Sequence, residues 1–177
     1  GALFFQNLFT SEPQEARFFH PLWLVLGWLS AATAIPSIDI FEISRIIAGF
    51  FFLFWLGKIC SRLFSEKLWA LIAFVLVAFS SGVGAFFIPP GRHLFIGEEI
   101  GTKLSVDLWQ PEMAIFSTLM HSVLFIGSQA LLLGIFFLWI RWERDQRRSI
   151  FIALLLMSLA LSSIHPYDAV IVGAVLG

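Results

Sequence analysis

From Leu68 to Ile88 the chain runs for 21 residues without a charge (LWALIAFVLVAFSSGVGAFFI). A helix crossing a hydrocarbon core about 30 Å thick needs about 20 mostly apolar residues, and this run meets that requirement alone. Met113 to Ile140 gives 28 more, with His121 its only ionisable group. Ile38 to Gly57 forms a third such stretch, its Asp39, Glu42 and Arg45 confined to the opening turns. Ser149 to Ile164 is a shorter fourth, stopped by His165-Pro166, and residues 169–177 read as the start of a fifth. A soluble domain carries about 25% charged residues; here 13% are charged and 59% hydrophobic, so a water-facing fold would lack a wettable surface. The expected fold class is therefore all-α, a polytopic transmembrane bundle, with residues 1–177 forming one domain. Gly1 in place of Met, and an end at Gly177 within an apolar run, read as the cut ends of a larger chain.

Charge places the loops. Basic residues mark cytoplasmic loops, which assigns that side to Lys58, Arg62 and Lys67, and to Arg141, Arg144, Arg147 and Arg148. The spans 38–57 and 113–140 then run inward, and 68–88 and 149–164 run outward. Residues 1–20 and 88–112 fall outside; together with Asp39, Glu42, Arg45 and Asp168 at the outer span ends, that side holds nine acids against four bases. All four histidines lie on the outer side or in the outer half of a span. The segment 21–35 is apolar but only 15 residues long, bounded by Pro21 and Pro36. It is read as a helix lying flat at the outer interface. Trp55, Trp69, Trp139 and Trp142 fall at inner span ends, where indoles favour the headgroup level. A net charge of −1 gives no cue for nucleic acid, and one cysteine excludes an internal disulfide.

Four polar clusters could carry chemistry on the outer face. The first holds Glu12, Glu15, Arg17 and His20, crowded against the interfacial helix; Glu12 and His20 each abut a proline that restricts the backbone. In the second, Asp39, Glu42 and Arg45 recur at three-residue spacing on a helix entering the membrane. An intramembrane Arg is either paired or functional, so Arg45 either pairs with Glu42 or holds a phosphate. The third is the loop 89–111 with Arg92, His93, Glu98, Glu99, Lys103 and Asp107, followed by Glu112. Glu112 at a helix start also suits the helix dipole. The fourth is His165-Pro166-Tyr167-Asp168. No HExxH, Walker, GxSxG or CxxC pattern occurs.

The order of these features resembles a known family. An acidic outer stretch precedes His20-Pro21-Leu22 and a short apolar helix, and the next helix opens with Arg45 after Glu42. Ser81-Gly82-Val83-Gly84, then Asp107-Leu-Trp109-Gln-Pro111-Glu112, then His165-Pro166 follow. This resembles the polyprenyl-phosphate-dependent membrane glycosyltransferases of the GT-C superfamily. The resemblance implies an inverting transferase in a bacterial inner membrane, moving a sugar from a lipid-linked donor to an acceptor at the outer face. Its catalytic carboxylate would come from Glu12, Glu15, Asp107 or Glu112, or from residues upstream of Gly1. His20, Arg45, Arg92, His93, His165 and Asp168 would bind substrate, and a divalent cation (Mg or Mn) would assist. Its partners would be the lipid-linked sugar donor and membrane lipids. A transporter or a non-catalytic membrane scaffold is the alternative; a transporter would spread ionisable residues through the midplane, and the spans 68–88 and 113–140 are nearly free of them.

Overall fold

The computed structural model describes Phe4, Glu15 and residues 19–80 and 115–176. Every regular element among these residues is an α-helix: α1 (Pro21–Thr33), α2 (Ser37–Leu63), α3 (Lys67–Ala78), α4 (Ile115–His121), α5 (Val123–Asp145), α6 (Arg148–Ile164) and α7 (Pro166–Leu176). The all-α class is thus observed. Two helices, α2 with 27 residues and α5 with 23, are long and apolar enough to cross a membrane. At 1.5 Å per residue they extend about 40 and about 35 Å. Helix α6 covers the expected fourth stretch with 17 residues, and α7 begins at Pro166 rather than at 169. The described part of the 68–88 stretch is helical to Ala78; residues 81–88 lie outside the described residues.

Helix α1 is set by its ends. Pro21 occupies the first helical position, where its missing N–H costs nothing. At the other end Thr33 Oγ1 donates to Leu29 O (2.6 Å) and Ser30 Oγ donates to Ile35 O (2.7 Å). Ala34 turns the chain in the left-handed region (φ 56°), at a cost of roughly 1 kcal/mol for a residue with a Cβ. Pro36 then precedes α2 with an extended ψ of 140°. The stacked rings of Trp23 and Phe41, 6.1 Å apart, hold α1 against α2.

The core forms where α2 lies along α5. Phe52, Leu56 and Cys60 of α2 are buried against Ile126 and Ala130 of α5, with Ala78 of α3 closing the cluster. Near the basic end, the Arg62 guanidinium sits 4.3 Å above the Phe137 ring. A second cluster joins Ile135 of α5 to Ile150, Leu154 and Leu161 of α6. Gly134 marks the tightest approach. A Cβ there would lie 2.4 Å from Met157 Cε of α6 and 3.0 Å from Trp55 Nε1 of α2, so three helices meet at one absent side chain.

The expected continuous span 113–140 is instead two helices. Ser122 is extended (φ −142°, ψ 122°) and separates α4 from α5. Neither glycine nor proline causes this break. In an unbroken helix the Leu119 carbonyl would accept from the Val123 N–H four residues on; here Arg45 Nη1 donates to it across from α2 at 2.7 Å. A carbonyl freed in an apolar setting needs such a partner, and Arg45 supplies it.

Candidate functional site

The end of α6 leaves carbonyls without helical partners, and a side chain from the start of the chain takes up one of them. His20 precedes Pro21, and its Nε2 donates to Ile164 O at 3.1 Å. Because a carbonyl only accepts, this bond fixes the proton on Nε2. The other ring nitrogen, Nδ1, is buried and without a hydrogen-bond partner among the described residues. The bond ties α1 to α6 across 144 positions of sequence.

Next along the chain, His165 ends α6 by donating its backbone N–H to Leu161 O (2.8 Å). Its side chain lies against the edge of Phe125 of α5, ring centroids 5.7 Å apart. Asp168, in the first turn of α7, brings Oδ2 to 3.1 Å from His165 Nδ1. The carboxylate is within ion-pair reach but out of line for a hydrogen bond, so Nδ1 is a second buried ring nitrogen with an unsatisfied direction. Both side chains are mostly covered, at 21% and 16% exposure. Pro166 allows this pairing: it starts α7 immediately after the cap and so puts Asp168 within one turn of His165.

Gln129 adds a third such atom. It follows Phe125 by four residues on α5, and residues at that spacing share a helix face. Its Oε1 is buried with no hydrogen-bond partner among the described residues. Sequence reasoning passed over Gln129 because it is uncharged. The usable signal was an amide in the middle of an otherwise apolar run, where buried polar groups are expected to be paired.

Beneath this polar end lies a cavity of about 540 Å³, within the range of small-molecule pockets. Helix α1 walls it with Leu22, Leu26 and Leu29; α2 contributes Ala48 and Phe51, and α5 contributes Gly127. The lining is almost wholly apolar, and Ile164, whose carbonyl holds His20, belongs to it. The arrangement suits a molecule with an apolar length and a polar, hydrogen-bonding end.

Arg45 lies elsewhere. The α2 residues facing the cavity are Ser44, Ile47, Ala48, Phe51 and Trp55. At 100° per residue, Arg45 lies about 100° and Gly49 about 140° around α2 from the centre of that set. There Arg45 Nε and Nη2 donate to Glu42 Oε2 at 3.0 and 2.5 Å, completing the pair that the spacing anticipated. The structure therefore brings His20, His165 and Asp168 to one end of the bundle and leaves Arg45 on a flank of α2, outside the cavity lining. Glu15 is exposed. Glu12, Arg92, His93, Asp107 and Glu112 lie outside the described residues. Among the described residues no three metal-ligating side chains converge.

No protein-family model, curated protein or solved structure matches the chain.

Proposed function

We propose that this chain is the membrane-embedded part of a glycosyltransferase that moves a sugar from a lipid-phosphate donor to an acceptor hydroxyl at the outer face. The observation that carries the reading is the union of an apolar cavity under α1 with His20, His165 and Asp168 at its Ile164 end. An amphiphilic donor requires both parts. The glycosyl chemistry comes from the resemblance of the ordered motifs to GT-C enzymes.

In this reading α2 and α5 cross the bilayer, α3, α6 and α7 complete a polytopic bundle, and α1 lies at the outer interface. Burial supports membrane placement over the core of a soluble protein. Only 22% of the apolar window of α2 and 39% of that of α5 are buried inside the structure, and large side chains such as Phe50 and Leu159 point outward at 65% and 68% exposure. In water those faces would form apolar patches well beyond what a monomer tolerates; in lipid they are solvated.

The donor's hydrocarbon chain occupies the cavity, and its polar end meets the histidines. A carboxylate drawn from Glu12, Glu15, Asp107 or Glu112 takes the proton from the acceptor hydroxyl as its oxygen attacks the anomeric carbon. The bond from that carbon to the phosphate oxygen breaks, and the lipid phosphate leaves with the electron pair. His165 and Asp168 orient the sugar or phosphate.

The test is sugar transfer by membranes carrying the full-length protein, supplied with lipid-phosphate sugars labelled in the sugar. His165→Ala and Asp168→Asn are each expected to lower transfer at least about tenfold, the loss of one or two oriented hydrogen bonds, with membrane abundance unchanged. Wild-type transfer in both variants would refute the site.

A further inference from the structure

The face of α2 that the donor cavity does not use carries a second groove. It runs between α2, α3 and α4, encloses about 490 Å³, and is lined by Gly49, Leu53, Phe74, Phe79, Phe116 and Met120, with Arg45 at its polar end. The groove opens sideways: Phe79 is 62% and Met120 53% exposed. The guanidinium itself is largely covered, its side chain 16% exposed. A guanidinium has five N–H groups. Two go to Glu42 and one to Leu119 O, which leaves two without a partner among the described residues. A covered guanidinium with spare donors at the head of an apolar groove is complementary to an anion that carries a hydrocarbon chain.

We propose that this groove binds an anionic phospholipid of the surrounding bilayer, its phosphate on Arg45 and one acyl chain along Gly49, Leu53 and Phe74. The inference rests on the membrane placement of α2, but not on the sugar-transfer chemistry. Three features favour a bilayer phospholipid as occupant. The groove opens toward the side that lipid covers. Its cationic group among the described residues, Arg45, sits near Glu42 and the start of α2, within reach of the headgroup level. Its position on the far side of α2 from the donor cavity lets both be filled together. The bound phosphate would also hold Arg45 on the Leu119 carbonyl, so the lipid would brace the break at Ser122 between α4 and α5.

Native mass spectrometry of the full-length protein, extracted in detergent and given equal amounts of phosphatidylglycerol and phosphatidylcholine with matched chains, tests this. The choline of the second lipid competes with Arg45 for the phosphate. The wild type should retain phosphatidylglycerol about tenfold over phosphatidylcholine in its most persistent adduct, a modest coupling for one charge-assisted pair. Arg45→Gln, whose amide can still donate to Leu119 O, should bring the ratio near one, and Arg45→Lys should keep most of the preference. Glu42→Gln/Arg45→Gln removes both members of the ion pair, so a ratio near one there too excludes a stranded carboxylate as the cause. An unchanged preference in Arg45→Gln, or none in the wild type, would overturn the lipid site. Alkaline carbonate extraction of membranes reads the placement separately: release of the protein would overturn both, whereas retention without lipid preference would overturn this inference alone.

Discussion

Gly134→Leu is expected to destabilise the protein by about 3 kcal/mol, at the upper end of what overpacking a filled interior costs. The reason is the meeting of three helices at this position. Met157 Cε lies 2.4 Å and Trp55 Nε1 3.0 Å from where a Cβ would stand, and Trp55 is itself held against Phe137 at 5.1 Å. The methionine end can swing away, because an unbranched thioether adapts readily; the indole cannot. Gly134→Ala should therefore cost only about 1 kcal/mol, and Met157→Ala in the same chain should recover most of it. Thermal unfolding of the detergent-solubilised protein measures both. Additive losses in the Gly134→Ala/Met157→Ala pair would show that the two positions do not compete for the same space.

Arg45→Leu is expected to cost about 2 kcal/mol, through a backbone group rather than through the ion pair. Glu42 is 48% exposed, so water can solvate the carboxylate when its partner is removed, and an exposed pair contributes little. The Leu119 carbonyl has no such relief. The break at Ser122 takes away its helical donor, Arg45 Nη1 replaces that donor at 2.7 Å, and an unsatisfied group in an apolar setting costs about 1–3 kcal/mol. Arg45→Gln retains an N–H for that carbonyl and should unfold at a higher temperature than Arg45→Leu. Equal losses in the two would mean that the charge, and not the carbonyl bond, carries the stability.

Much of the helical scaffold was legible because its signals are local. Uncharged runs bounded by basic clusters locate α2 and α5, Pro21 and Pro36 bracket α1, and the three-residue spacing of Glu42 and Arg45 gives their pair. What was not legible depends on contacts between distant segments. The break at Ser122 has no glycine or proline to announce it; it is accompanied by a bond from Arg45, 74 positions away, to the Leu119 carbonyl. The His20–Ile164 bond joins a ring to a backbone carbonyl, and a carbonyl leaves no mark in a sequence. Charge alone could likewise suggest that Arg45 and His165 belong to the same end of the molecule, but not that Arg45 stays out of the cavity lining. Arg45 follows the stripe of α2 that carries Phe52 and Leu56, which pack on α5.

A site for an outer-face donor requires the His20, His165 and Asp168 end of the bundle to face outward. Single cysteines at Ala34, beside the end of α1, and at Gln146, between α5 and α6, can be placed in the full-length protein with Cys60, its buried thiol, changed to serine. An impermeant thiol reagent applied to intact cells is predicted to label Ala34→Cys at once and Gln146→Cys only after the membrane is permeabilised. Labelling of Gln146→Cys in intact cells, with Ala34→Cys protected, would place the His20, His165 and Asp168 end in the cytoplasm and contradict the account.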